Sequence, residues 1–184
     1  MITEISTTKA CLEAGKTILY PTDTVWGIGC DATNFEAVSK IYTIKNREES
    51  KSLIVLVSSL NMLKKYVQVS KKALEILQNT EKPTTIIYKN SKGFAENIMA
   101  EDDSIAVRIV QDDFCRKLIK QFGKPIVSTS ANISGKSTPK SFSEIDNTIL
   151  DNVDYVVNLY QHKKTNKSST ILKIIGNKIE VLRL

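Results

Sequence analysis

Residues 20–32 of this 184-residue chain read Tyr-Pro-Thr-Asp-Thr-Val-Trp-Gly-Ile-Gly-Cys-Asp-Ala, and the rest of the sequence is organised around them. Gly27 and Gly29 permit either a close approach between backbones or a positive φ. The Thr-Asp-Thr segment at 22–24 carries hydroxyl and carboxylate groups that can hydrogen-bond a polar ligand. Turns are built from the same residue types. The stretch is therefore either a polar turn between two strands or one wall of a binding site.

Length and composition indicate one globular domain that covers residues 1–184. Hydrophobic residues make up 41% of the chain and charged residues 25%, which is ordinary for a globular protein. No apolar run approaches the roughly 20 residues that a membrane-spanning helix needs. The first residues also lack the basic start and apolar stretch of a signal peptide. We therefore expect a cytoplasmic protein without a membrane partner.

The net charge and the cysteine and histidine content limit the kinds of ligand and reaction that the sequence supports. The net charge of +6 suits a polyanionic partner such as a nucleotide or RNA. Cys11, Cys30 and Cys115 form no zinc pattern, and we expect them to be reduced. The single histidine, His162, excludes a His-rich metal site and argues against a Ser-His-Asp triad. Catalysis here must rely on lysine, arginine, carboxylates, hydroxyls, backbone amides or a bound metal.

Helical and extended patterns alternate along the chain. Asn34 is a plausible N-cap, and Ser141 with Glu144 forms a capping-box pattern. Helices are predicted over 5–12, 35–44, 61–66, 71–77, 112–122 and 141–149, and strands over 16–20, 53–57, 83–88, 104–110, 125–127 and 154–159, before a hairpin at 169–182. This interleaving predicts a layered α/β domain, although the order of the strands cannot be read from it.

A basic segment follows the second predicted helix. Lys45 and Arg47 are two residues apart, so they share one side only if the chain is extended there. A helix that ends near Lys45 would let both side chains reach one anion. Glu48 and Glu49 partly neutralise the segment, so a solvated charged loop fits the pattern as well.

Two later segments carry further polar candidates. Alternation in the strand over 104–110 puts Ser104 and Arg108 on the side opposite its apolar residues. Arg108 is then either a surface residue or, if that side lines a cleft, an anion ligand. Residues 128–135 read Ser-Thr-Ser-Ala-Asn-Ile-Ser-Gly after a buried strand. Such an edge commonly holds ligands in α/β proteins, but it also fits a polar loop before the next helix.

Taken together, these blocks resemble the YrdC-like family of L-threonylcarbamoyladenylate synthases. The resemblance rests on residues 20–32, Lys-Asn-Arg at 45–47, Ser-Ile-Ala-Val-Arg at 104–108, residues 128–135, and Ser-Ser-Thr-Ile at 168–171 with the closing Leu-Arg at 182–183. The blocks occur in the family's order and cover nearly the whole chain. Trp26 stands where the family usually has Tyr or Phe, and Leu56 where many relatives carry a histidine near the threonine.

The resemblance implies a single domain with a twisted, mixed β-sheet flanked by helices and a concave basic groove. It also implies a reaction in which L-threonine, bicarbonate and ATP give threonylcarbamoyl-AMP and pyrophosphate for tRNA threonylcarbamoyladenosine modification, with Mg²⁺ accompanying ATP. Proteins that accept the intermediate would be its partners. Catalysis would depend mainly on positioning and charge neutralisation.

The same resemblance assigns roles to residues of this chain. Lys45 and Arg47 would be catalytic, and the carboxylate of threonine would meet Arg108. Pro21 and Asp23 would fix the turn. The nucleotide would be bound by Lys45, Arg47, Lys51, Ser104, Ser130, Asn132 and Arg183, and threonine by Thr24, Arg108, Ser128 and Ser169. The alternative is a non-catalytic module of the same fold that binds tRNA or double-stranded RNA.

Overall fold

The computed structural model describes residues 1–47, 53–164, 168–176 and 178–184. The helices are α1 (Ile2–Glu13), α2 (Phe35–Lys45), α3 (Leu60–Tyr66), α4 (Lys71–Asn79), α5 (Asp113–Phe122) and α6 (Asn147–Asn152). The strands are β1 (Ile18–Tyr20), β2 (Gly27–Gly29), β3 (Ile54–Val57), β4 (Thr84–Tyr88), β5 (Ile105–Ile109), β6 (Ile126–Ser130), β7 (Tyr155–Val156), β8 (Thr170–Ile175) and β9 (Lys178–Arg183).

The nine described strands form one mixed sheet in the order β7-β1-β2-β6-β3-β5-β4-β8-β9. β1 pairs with β7, β3 with β5 and β4 with β8 in parallel, and the other neighbours are antiparallel. The mixed α/β sheet is the architecture that the sequence predicts.

Helices cover the two faces of the sheet unequally. On one face, residues of α2, α3, α4 and α6 pack with strand residues such as Val55 and Val107 into the larger core. On the other, α1 and α5 pack over Ile18, Tyr20 and Leu56 in a smaller core. Because α1 and α5 extend over only part of this second face, the rest of it is left open, and the functional cleft lies there.

Several predicted boundaries are confirmed because their caps form. Asn34 caps α2 by accepting a hydrogen bond from the backbone N–H of Ala37 at 2.9 Å. Gly15 follows α1 with φ +67°, the left-handed conformation that glycine adopts without strain.

The helix predicted over 141–149 is wrong. A 3₁₀ turn over Phe142–Glu144 is followed by α6, which is capped by Asp146 through the backbone N–H of Thr148. Glu144 accepts a hydrogen bond from the N–H of Lys140, so the capping box does not form. The strand predicted over 125–127 is also too short, because β6 continues through Ser130.

None of the helices in the described ranges is long and apolar enough to span a membrane.

Candidate active site

A cleft of about 370 Å³ opens on the uncovered part of the sheet. Leu56 lies under α5 in the smaller core, whereas Ile54, two residues earlier on the same face of β3, lines the cleft. Seven residues predicted from the sequence line it: Thr24, Arg47, Arg108, Ser128, Ser130, Ser169 and Arg183. They come from six different segments of the chain, which the strand order brings together.

The two glycines of β2 allow three strands to approach closely. A Cβ atom on Gly29 would lie 2.4 Å from the carbonyl oxygen of Val127 and 2.7 Å from Cε1 of Tyr20. A Cβ on Gly27 would lie 3.2 Å from Oγ of Ser128. Neither glycine has a positive φ. Of the two reasons for glycine here, close approach is therefore the one that applies.

Thr22 fixes the turn and directs Thr24 into the cleft. The hydroxyl of Thr22 donates to the carbonyl oxygen of Val25 at 2.7 Å and accepts from the backbone N–H of Thr24 at 3.1 Å. The two threonine hydroxyl oxygens are 3.0 Å apart. Thr24 lines the cleft. The opening stretch is therefore both a turn and a wall of the site.

Asp23 binds Arg108 in the interior of the protein. Its Oδ1 lies 2.9 Å from an NH2 nitrogen of Arg108, and the exposed side-chain fractions are 7% and 3%. The same nitrogen donates to Oγ1 of Thr24 at 3.3 Å. The other carboxylate oxygen accepts from the backbone N–H of Gln111 at 3.1 Å. Asp23 thus joins its turn to β5 and the residues that follow β5, whereas the hydrogen bonds within the turn are made by Thr22.

A second arginine of the cleft is fixed by neutral groups. Arg183 donates from Nε to the carbonyl oxygen of Ser169 at 2.9 Å and from NH2 to its Oγ at 3.0 Å. Oγ of Ser169 lies 2.9 Å from the hydroxyl of Thr85, which is fully buried. Burial lowers the pKa of Arg183, and repulsion by the charge of Arg108 lowers it further.

Lys45 is buried beneath the loop that follows β6. Its ammonium donates to the carbonyl oxygens of Ser130 and Asn132, the latter at 2.6 Å. The side chain is 1% exposed, and this burial, together with the charge of Arg47, lowers the pKa of Lys45 to about 8. Asn132 donates to the carbonyl oxygen of Lys136 at 2.8 Å, which closes the loop on itself.

Four predicted site residues are not among those that line the cleft. Lys45 and Asn132 shape the adjoining loop. Ser104 directly precedes β5, and its backbone N–H donates to Oδ1 of Asp102 at 3.3 Å. Lys51 lies outside the described residues. Ligand contacts for all four stay predictions.

Part of the lining of the cleft, and one residue that supports it, are not predicted from the sequence. Thr129, Thr138 and Ser168 add hydroxyl groups to the cleft. Ile54, Ile87, Ala106, Ile171 and Leu182 add an apolar wall. Alternation in β4 could have suggested Thr85, which pairs with Arg108 in the sheet, but only the strand order reveals the pairing.

Over the ranges that the structure describes, no group of three or more His, Cys, Asp or Glu side chains could hold a metal ion. Among the described residues that line the cleft there is no carboxylate. The described side chains therefore offer no cage for a metal ion, and a Mg²⁺ ion would have to be carried largely by the phosphates of a ligand.

Comparison with known proteins decides the family. The model of the Sua5/YciO/YrdC family, described as telomere recombination, matches residues 10–184. The chain belongs to the Sua5/YciO/YrdC family.

Family members of known name share much of the sequence. The threonylcarbamoyl-AMP synthase of Pseudoalteromonas translucida is 36% identical over 151 residues, which are 80% of this chain and 81% of the relative. A putative threonylcarbamoyl-AMP synthase of Methanocaldococcus jannaschii is 40% identical over 170 residues, which are 92% of this chain and 79% of the relative.

Solved structures of the family match the whole sheet. P. abyssi Sua5 complexed with L-threonine has a TM-score of 0.85 and 25% identity, over 97% of this chain and 53% of that chain. This chain therefore spans about half the length of Sua5. E. coli YciO has the same fold, with 22% identity and a TM-score of 0.85 over 97% of this chain and 87% of YciO.

Proposed function

We propose that this member of the Sua5/YciO/YrdC family is an L-threonylcarbamoyladenylate synthase, a nucleotidyltransferase that makes threonylcarbamoyl-AMP and pyrophosphate from L-threonine, bicarbonate and ATP. The observation that carries the proposal is one cleft lined by groups suited to both substrates. We assign Thr24 and Arg108, which is paired with Asp23, to one end, and Arg47, Ser130 and Arg183 to the other. The names of the relatives support it.

The first end suits an amino acid. Arg108 offers a guanidinium group to a carboxylate, and the Thr24 hydroxyl beside it can share the contact. Ser128 and Ser169 add hydroxyl groups within the same cleft. We assign these four residues to threonine, as the family resemblance implies, and Ser169 also accepts hydrogen bonds from Arg183 of the other end.

The second end suits a nucleotide. Arg47 and Arg183 bring positive charge to the cleft, and Ser130 is the last residue of β6. Arginine pairs with phosphate through parallel N–H···O bonds, so both are fitted to a triphosphate. The apolar wall that includes Ile171 and Leu182 gives the base a surface on which to pack.

The chemistry follows from holding the two substrates side by side. The threonine amine condenses with bicarbonate, with loss of water, to give a carbamate. A carbamate oxygen then attacks the α-phosphorus of ATP and displaces pyrophosphate. Arg47 neutralises charge on the phosphates in the transition state, and the fixed threonine pocket keeps the carbamate in line. Lys45 positions Ser130 and Asn132 through their carbonyl oxygens. Mg²⁺, when bound with ATP, supplies further neutralisation of the phosphate charge.

The product is a reactive mixed anhydride, so we expect partner proteins that transfer its threonylcarbamoyl group to tRNA. We also expect the reaction to take place in the cytoplasm, where ATP and tRNA are abundant. Direct contact with tRNA or double-stranded RNA stays a prediction. The non-catalytic RNA-binding alternative is not favoured, because curated relatives with 32–40% identity are named as synthases.

Substrate omission tests the proposal. Pyrophosphate release from ATP should require both L-threonine and bicarbonate, and mass spectrometry should detect threonylcarbamoyl-AMP. Release that continues unchanged without threonine would contradict the assignment. Salt-dependent binding to double-stranded RNA with no adenylate formed would support the RNA-binding alternative instead.

A further inference from the structure

Three arginines line the cleft within the described part of the chain: Arg47, Arg108 and Arg183. A bare guanidinium group binds phosphate at least as readily as carboxylate, because both present two oxygens to its parallel N–H groups. The proposed reaction needs a triphosphate and an amino acid in the same cleft. The site must therefore keep phosphate away from the arginine that receives the amino acid.

Arg108 and Arg183 are close enough to influence each other, since the charge of Arg108 contributes to the lowered pKa of Arg183. Two guanidinium groups in one cleft form a phosphate clamp if neither is neutralised. The two differ in their partners. Arg183 donates to the carbonyl and hydroxyl oxygens of Ser169, which carry no charge. Arg108 has the buried carboxylate of Asp23 at 2.9 Å.

Asp23 is itself held in place. Its second oxygen accepts from the backbone N–H of Gln111 at 3.1 Å, and its side chain is 7% exposed. It is not among the residues that line the cleft. The carboxylate therefore neutralises Arg108 from behind while the same guanidinium nitrogen reaches Thr24 in front.

We propose that Asp23 is a specificity-determining positioning residue, which restricts Arg108 to a singly charged carboxylate and keeps phosphate groups out of the amino-acid end of the cleft. The inference rests on the proposed function, and it names the residue that makes the two ends of the cleft accept different anions. With the ion pair intact, a polyanion at Arg108 meets the charge of Asp23, whereas a zwitterionic amino acid adds no net charge.

The test compares Asp23→Asn with the wild type. Threonine should bind about tenfold more weakly, because Arg108 loses the group that orients it. Inorganic phosphate should become competitive with threonine, both in calorimetric binding without ATP and in steady-state pyrophosphate release. In the wild type, phosphate should not compete with threonine. Asp23→Asn protein in which phosphate still fails to compete would overturn the proposal.

Asp31→Asn is the matched control. Asp31 is also a buried aspartate in an ion pair, with Lys124 at 2.7 Å, and it is not among the cleft residues. Its loss should leave threonine affinity and phosphate competition as in the wild type. Equal phosphate competition in both variants would indicate general loosening of the fold and would contradict a specific role for Asp23.

A double variant keeps the question answerable if Asp23→Asn does not fold. Asp23→Asn with Arg108→Gln removes both charges, so no unpaired charge stays buried. This protein should lose threonine binding and should not bind inorganic phosphate in calorimetry. Threonine affinity equal to that of the wild type would overturn the proposal. The two proposals can fail separately. If Asp23→Asn binds phosphate and the double variant does not, but the wild type forms no threonylcarbamoyl-AMP, the inference is supported and the proposed function is refuted.

Discussion

The ammonium nitrogen of Lys45 lies 2.6 Å from the carbonyl oxygen of Asn132, 87 residues away in the chain. This contact joins the end of α2 to the loop after β6, so the two segments that carry the basic and the Ser-x-Asn motifs are one structural unit. The backbone N–H of Ser134 donates to the carbonyl oxygen of Lys45 at 2.8 Å and joins them a second time.

The buried ammonium predicts a pH dependence of stability. The pKa of Lys45 is lowered from 10.5 to about 8, so between these values the folded protein binds fewer protons than the unfolded chain. The free energy of unfolding should therefore rise with pH across that window, by about 3 kcal/mol from this group. Urea denaturation at several pH values should show the rise in the wild type and lose it in Lys45→Met. Identical pH profiles would contradict the assigned burial.

Arg47→Ala should abolish nucleotide turnover and leave the fold intact. Removal of a positive charge from the transferring phosphates should lower kcat/KM for ATP by about a hundredfold or more. Circular dichroism and thermal unfolding should match the wild type. Arg116→Ala is the control, because Arg116 is an exposed arginine whose ion pair with Asp113 lies on the surface of α5. Near-normal kinetics in Arg47→Ala would move the nucleotide end of the site elsewhere.

Gly29→Ala should be strongly destabilising. The new Cβ would lie 2.4 Å from a backbone oxygen in the neighbouring strand, and no side-chain rotation relieves that clash. We expect a loss of about 3 kcal/mol in urea denaturation. Gly123→Ala meets nothing within 4 Å and costs only the strain of its φ of +80°, about 1 kcal/mol. Equal losses in the two variants would show that close approach is not the reason for Gly29.

Thr85→Val should raise the KM for threonine severalfold. Valine keeps the shape of threonine but removes the hydroxyl that contacts Oγ of Ser169, a loss of about 1 kcal/mol. Steady-state kinetics should show the change in KM with ATP saturating. Thr84→Val is the control, because Thr84 is also in β4 but does not line the cleft. Its hydroxyl donates to the carbonyl oxygen of Lys82, and its loss should leave the KM for threonine unchanged. An equal rise in the KM for threonine in both variants would indicate that the substitutions disturb β4 as a whole.

Local chemistry made much of the fold predictable. Most element boundaries follow from caps and alternation, because an N-cap such as Asn34 acts within three residues of its own position. The prediction of a helix over 141–149 was also wrong for a local reason, because Asp146 and not Ser141 is the residue whose side chain caps the helix. The strand order was beyond reach because it depends on pairing between distant segments.

The candidate site was likewise predictable from the sequence only in part. Alternation in β5 placed Arg108 on the side that lines the cleft, which settles the choice between surface and cleft that the sequence left open. Its pairing with Asp23, 85 residues earlier, comes from tertiary structure alone. For the same reason, nothing in the sequence revealed that Lys45 is buried under the loop that it adjoins.

The position of β1 between β2 and β7 has a consequence for how the protein is made. Thr17, which directly precedes β1, bonds to Asp154 across 137 residues of sequence, and β2 pairs with β6 about a hundred residues later. Non-local pairing slows folding, because loop closure must be completed before the contacts can form. During synthesis β1 and β2 can pair with each other, but their outer partners β7 and β6 become available only when most of the chain has left the ribosome. We expect chaperone dependence in the cell to centre on this N-terminal segment.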